Sequence, residues 1–292
     1  MIGKIKGKTV WVVILGWCIS LLMACHPPLD KTIAAENEGN VLKATFLKVG
    51  KADAIVIQEG KKTMVIDVGE EEDGEEVVEF LENQGISKVD TLMITHYDQD
   101  HVGGADTLVE QMEIGKVILP AYEGDSTEYV DFMKALERKE IQPEFLTEAK
   151  EFSLEEAKVL AEPPLSYEHD GGAAEFDNNY SIVTTITHGK NNLLFTGDIE
   201  KQRIREWLEN GKVQRCTFIK IPHHGVYNTA LKELLTAVSP KYAVICSSNK
   251  NPADIQTLEL LKQRNISIME TKDGNITVLS DGNDVEINQQ LE

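Results

Sequence analysis

The run THYDQDHVGG, Thr95 to Gly104, places His96, Asp98, Asp100 and His101 in one short loop and closes it with Gly103 and Gly104. Neutral imidazole and carboxylate suit divalent first-row cations, and their alternation lets a single loop feed two adjacent ions. The paired glycines admit a turn into the next helix. Further candidates stand at the ends of other apolar runs. Asp67 ends TMVID, Asp198 follows LLFTG, and His223 and His224 follow FIKIP. Loops at strand ends are where a rigid sheet presents functional groups, so separate strand ends each delivering an acid or imidazole point to one site.

The elements that must position these groups are legible as short, β-branched apolar runs. ATFLKV, AIVIQ, TMVIDVG, DTLMIT, KVILP, SIVTTIT, NLLFTGD, CTFIKIP, YAVICSS, ISIMET and ITVLS read as strands. QEGKKT and THGKNN read as hairpin turns, which makes His188 in the second a structural residue. Helix-period segments lie between them: GEEVVEFLENQGI, TEYVDFMKALERK, IEKQRIREWLENG, TALKELLTAV and IQTLELLKQRNI. Early hairpins followed by strand–helix alternation predict sheets covered by helices. The acidic run GEEEDGEE reads as a solvated turn entering a helix.

In their order VIDVG, HYDQDH, FTGD and IPHHG, these motifs resemble the metallo-β-lactamase superfamily, over about Leu42 to Gly282. FLKVGKADAIVI and NNYSIV extend the likeness to the hydrolase domain of competence DNA-internalisation proteins and their free-standing relatives. The resemblance implies an α/β fold, the αββα sandwich of two mixed sheets covered by helices. It also implies that His96 and Asp98 serve one metal and Asp100 and His101 the other, with Asp198 bridging and His223 or His224 completing the second site. Asp67 then orients a ligand from behind. Asp100, His223 and His224 are the expected catalytic groups around a metal-activated hydroxide, one histidine of the pair serving the leaving group. The cofactor expected is one or two zinc ions. Asp98 stands where most members carry histidine, an oxygen-rich change that also suits manganese. The usual middle histidine is not evident. At the comparable place Asn178, Asn179 and Ser181 of DNNYS offer hydrogen bonds to a phosphate oxygen or a bound water, and His169 is a substitute ligand. Asn251 replaces another common histidine.

Residues 1–24 read as a lipoprotein signal peptide, with lysines before the apolar run and LLMAC as a lipobox that makes Cys25 the lipidated residue; the competing reading is an uncleaved anchor. Residues 25–40 read as a tether and 41–292 as the hydrolase domain, exported and held at the outer face of the cytoplasmic membrane. Of the remaining cysteines, Cys216 and Cys246 are expected as buried thiols, although an oxidising compartment permits a disulfide. The formal charge of −20 repels polyanions, so a small-molecule or cell-wall phosphodiester is expected over DNA unless Lys48, Lys51 and Lys220 form a local patch. The function expected is phosphodiester or related ester cleavage. The alternatives are a non-catalytic binding lipoprotein of the same fold and, less favoured for want of a three-histidine site, a β-lactam or lactone hydrolase.

Overall fold

The computed structural model describes residues 41–167 and 176–291. The signal-like segment, Cys25, the tether and His169 lie outside the described residues. Among the described residues no helix is long and apolar enough to cross a membrane.

Two mixed sheets form. The first is ordered β15 (Val285–Gln289), β14 (Ile276–Ser280), β1 (Leu42–Phe46), β2 (Ala54–Glu59), β3 (Lys62–Val68), β4 (Lys88–Met93), β5 (Glu113–Pro120) and β6 (Glu144–Leu146). It is antiparallel from β15 to β3 and parallel from β3 to β6. The second is ordered β13 (Ser267–Glu270), β12 (Tyr242–Ile245), β11 (Phe218–Lys220), β10 (Asn191–Phe195), β9 (Val183–His188), β8 (Lys158–Glu162) and β7 (Lys150–Ser153). Its β10–β13 part is parallel and its β7–β10 part antiparallel.

Side chains alternate across each strand, so each sheet has an inner and an outer apolar face. Phe46, Ile57, Met64, Ile66 and Met93 of the first sheet meet Val159, Ile186, Leu193, Phe195 and Phe218 of the second in a central core. On the outside of the first sheet, Val65, Leu92 and Val117 pack under α1 (Gly74–Asn83), α3 (Ala105–Gln111) and α4 (Thr127–Arg138) through Val77, Leu81, Leu108, Phe132 and Leu136. Leu194, Ile219 and Ala243 of the second sheet are covered by α6 (Lys201–Asn210), α7 (Leu231–Val238) and α8 (Ile255–Gln263) through Ile204, Trp207, Leu231, Leu235 and Leu261. The architecture is therefore the expected αββα sandwich. Two short helices, α2 (Gln99–Val102) and α5 (Phe176–Asn179), belong to the loops at one end.

Both expected hairpins form, Glu59 pairing with Lys62 and His188 with Asn191. His188 is buried against Ser280 Oγ at 3.0 Å and so joins the sheets. Cys216 and Cys246 are buried free thiols. Gly103 and Gly104 have ordinary φ; close approach is what requires them. A Cβ on Gly103 would lie 2.5 Å from the Glu70 carbonyl carbon and Glu71 N, and one on Gly104 would lie 2.6 Å from Gly74 Cα.

Candidate metal centre

The C-terminal ends of β3, β4, β10, β11 and β12 open at one end of the sandwich, and the loop leading into β2 arrives there from the opposite direction. Asp67 reaches the site from within β3 through a bulge, at φ 58°. That left-handed conformation costs a non-glycine residue on the order of 1–2 kcal/mol. The bulge is offset by what the fully buried carboxylate then does. It accepts the Thr95 amide (2.7 Å), the Thr95 hydroxyl (2.7 Å) and His101 Nδ1–H (2.8 Å). One acid thereby fixes both ends of the metal-capable loop.

The hydrogen bonds behind the imidazoles determine which nitrogen each presents. His224 Nδ1 lies 3.0 Å from the Cys246 carbonyl, which can only accept, so Nδ1 donates. His101 Nδ1 donates to Asp67 by the same logic. The Thr95 hydroxyl spends its proton on Asp67, so at 3.0 Å it accepts from His96 Nδ1. Ser181 Oγ also lies 3.3 Å from His96 Nδ1, and it accepts the Asp198 amide at 3.1 Å. In the neutral rings all three Nε2 atoms are therefore bare lone pairs, and all three are buried without a hydrogen-bond donor.

These lone pairs face carboxylates. His224 Nε2 is 3.0 Å from Asp198 Oδ2 and 3.2 Å from Asp100 Oδ2. His101 Nε2 is 3.3 Å from Asp198 Oδ2 and 4.0 Å from Asp100 Oδ1, and His96 Nε2 is 3.5 Å from Asp98 Oδ2. Acceptor meets acceptor throughout, an arrangement that a divalent cation satisfies. Among the described residues three groupings have the compactness to hold one, and two of them, His96–His101–Asp198 and Asp100–His101–His224, gather the bare Nε2 atoms. The field has the same sense. Burial works against imidazolium at His224, yet Asp198 and Asp100 push it up to about 9. Burial likewise opposes charge on Asp198, but His224, Lys220 and His101 hold its carboxyl well below the usual range.

His223 and His224 separate cleanly. Residues 223 to 225 are three consecutive left-handed residues, φ 47°, 50° and 82°. This turn sends His224 inward and His223 to the half-buried rim, where Nδ1 pairs with Glu200 at 2.5 Å. The structure thus brings His224 to Asp198 and leaves His223 outside both groupings. Asp98 stands at the rim, its side chain 42% exposed. Asn179 Oδ1 accepts the Arg203 amide and so caps the start of α6. Asn178 is buried with Oδ1 lacking a hydrogen-bond partner. The acidic turn faces solvent as expected, with Glu70, Glu71, Glu72, Glu75 and Glu76 exposed and Asp73 half-buried where the helix begins. Burial, and then the nearby Asp100, push Glu70 up, and Asp73 rises to about 6 mainly through burial.

Lys220 is not available to the local basic patch that was the exception to the acidic surface. It is fully buried, and its ammonium pairs with Asp53, with Asp198 Oδ1 at 3.0 Å and with the Gly197 carbonyl at 2.9 Å. Burial would lower its pKa, but Asp198 and Asp53 hold it well above the ordinary lysine range. Asp53, Lys220 and Glu200 were not read as site residues. Strand alternation in CTFIKI was the available signal for Lys220, because it shares the inward face of Phe218.

An αββα sandwich with a His/Asp cluster at the strand ends defines a domain built to bind divalent metal. The chain belongs to the metallo-beta-lactamase superfamily, whose family model matches residues 47–248. It is 29% identical over 202 residues to the ComE operon protein 3 of Bacillus subtilis, covering 68% of this chain and 25% of that protein. It is 26% identical over 211 residues to Recombination protein 2 of Haemophilus influenzae, covering 70% and 24%. The chain thus spans about a quarter of the length of these relatives. The metallo-beta-lactamase fold protein YhfI from Bacillus subtilis superposes with a TM-score of 0.51 at 8% identity, over 78% of this chain and 95% of that one, a likeness of fold alone.

Proposed function

We propose that this protein is an exported, lipid-anchored metallohydrolase that cleaves phosphodiester or related ester bonds. The observation that carries the reading is the set of three donor-free Nε2 atoms turned on Asp98, Asp100 and Asp198. His101, His224, Asp100 and Asp198 would hold one divalent ion, and His96 and Asp98, sharing Asp198, a second. Bound there, zinc or manganese supplies Lewis acidity and a water of lowered pKa. The chain itself fixes the imidazole tautomers through Asp67, Thr95 and Cys246, and excludes water from the inner half of the site. His223, held by Glu200 at the open edge, is placed to hydrogen-bond the leaving oxygen. Asn178 offers a buried amide beside Ser181. The lipobox-like LLMAC supports export and anchoring through Cys25.

A small or cell-wall phosphodiester is favoured over DNA. Glu70 stands near Asp100, and the buried Lys220 offers nothing to a phosphate backbone. The test is metal analysis of the exported domain, followed by hydrolysis of bis-p-nitrophenyl phosphate with zinc and manganese compared. Activity abolished by Asp100→Ala is the expected result. A metal-loaded protein inert towards phosphodiester, phosphomonoester and lactam substrates overturns the enzyme reading in favour of a binding lipoprotein.

A further inference from the structure

We propose that Lys220, clamped between Asp53 and Asp198, is a positioning residue that commits Asp198 to offering a single oxygen, Oδ2, to bound metal. The inference deepens the metal-site reading and rests on it. Asp198 has two oxygens with different neighbours. Oδ1 meets the Lys220 ammonium at 3.0 Å, whereas Oδ2 lies 3.0 Å from His224 Nε2 and 3.3 Å from His101 Nε2. Rotating the carboxylate would break a charge-assisted hydrogen bond in a fully buried setting, where no water replaces it. Lys220 is itself immobile. Its ammonium also donates to the Gly197 carbonyl, and its own carbonyl accepts the Thr196 hydroxyl at 2.8 Å.

Asp53 completes the clamp from the other side. Its amide donates to the Asp100 carbonyl at 3.0 Å and its carbonyl accepts the Gly69 amide at 2.8 Å, so it is tied to the metal loop by its backbone. A third acid-and-imidazole grouping, Asp53–Asp67–His101, has the compactness of a metal site. Its cation is already supplied. Asp67 is saturated by Thr95 and His101, and Asp53 is paired with the ammonium. Lys220 thus serves as a fixed internal cation, confining added metal to the two groupings around Asp198 Oδ2. Asp198 Oδ2 would then be the one oxygen of that carboxylate offered to any metal held beside His101 and His224.

The deciding variant is the charge-balanced double substitution Asp53→Asn with Lys220→Met. It removes the Asp53–Lys220 pair without stranding either of those two, a replacement buried pairs often tolerate, and takes from Asp198 Oδ1 the ammonium contact under test. Metal affinity is read by competition with a chromophoric chelator, using zinc and manganese, and requires no turnover. The double variant is expected to bind about 10–100-fold more weakly than wild type, the loss typical of removing a group that orients a ligand, with its melting temperature close to wild type in chelator. Affinity within threefold of wild type overturns the proposal, because the pair would then serve stability alone. Asp53→Asn by itself keeps the Lys220–Asp198 contact and is expected to bind within threefold of wild type. A loss equal to that of the double variant also overturns the proposal, by tracing the effect to Asp53. Wild-type protein that binds no metal overturns the metal-site reading instead, and is seen before any variant is compared.

Discussion

Replacing Asp67 by Asn tests whether one buried carboxylate sets the tautomers of the metal-facing imidazoles. The carboxylate accepts three donors, one on Oδ1 and two on Oδ2. An amide has one accepting oxygen: either it flips and sets NH2 against the Thr95 amide, donor to donor, or it keeps the Thr95 amide and its NH2 faces the Thr95 hydroxyl and His101 Nδ1. Both can adapt only by becoming acceptors. His101 would then carry its proton on Nε2, towards Asp198, and the Thr95 hydroxyl would turn its proton on His96 Nδ1, driving that ring the same way. Restoring a ligating tautomer strands one buried donor against another, costing about 1–3 kcal/mol. That corresponds to roughly 5–150-fold in metal affinity at about 1.4 kcal/mol per factor of ten. The substitution is also expected to lower stability by about 2–4 kcal/mol, since it weakens charge-assisted bonds at a fully buried site. Chelator competition measures the affinity, and nitrogen-15 spectra of the histidine rings report the protonated nitrogen. Wild-type affinity, with His96 and His101 still protonated on Nδ1, would refute the reasoning.

Further outcomes follow from the same geometry. His224→Ala is expected to lose at least tenfold in metal affinity, whereas His223→Ala retains the metal and loses turnover; the reverse pattern would reassign the pair. In chelator-treated protein, His224 contributes stability that is complete below the unfolded imidazole value of about 6.5 and is lost as pH rises through about 9. Its melting temperature should therefore fall across that window, and added divalent ion, which competes with the protons, should reverse the fall. A melting temperature that stays level contradicts this. Gly103→Ala forces a Cβ within 2.5 Å of the Glu70–Glu71 backbone and is expected to cost at least about 1–3 kcal/mol, read by chemical denaturation.

Much of the fold was legible because its strands are β-branched and buried on both faces. The five helices read from periodicity all form, burying Val77, Val78 and Leu81 on the first and Leu231, Leu234, Leu235 and Val238 on a later one. Strands Lys158–Glu162 and Val285–Gln289 went unread because KVLAE and VEINQ carry lysine, glutamate, alanine and asparagine, which strands disfavour in isolation. The helix Ala105–Gln111 is too short for its period to show.

At the site the division is sharper. Residue type and local order by themselves determined the loop His96–Asp98–Asp100–His101, because residues this close in sequence share a location whatever the rest of the chain does. They also placed Asp67, Asp198 and the His-His-Gly turn at strand ends. Only tertiary structure decided which histidine of the pair turns inward, because that depends on successive left-handed residues and on a carbonyl from the β12 end. Only the closed sandwich turned Lys220 from a supposed surface cation into a buried partner of Asp53 and Asp198. Strand alternation assigns a side chain to a face. What it meets there is contributed by segments distant in sequence, and their contact exists only once the two sheets have packed.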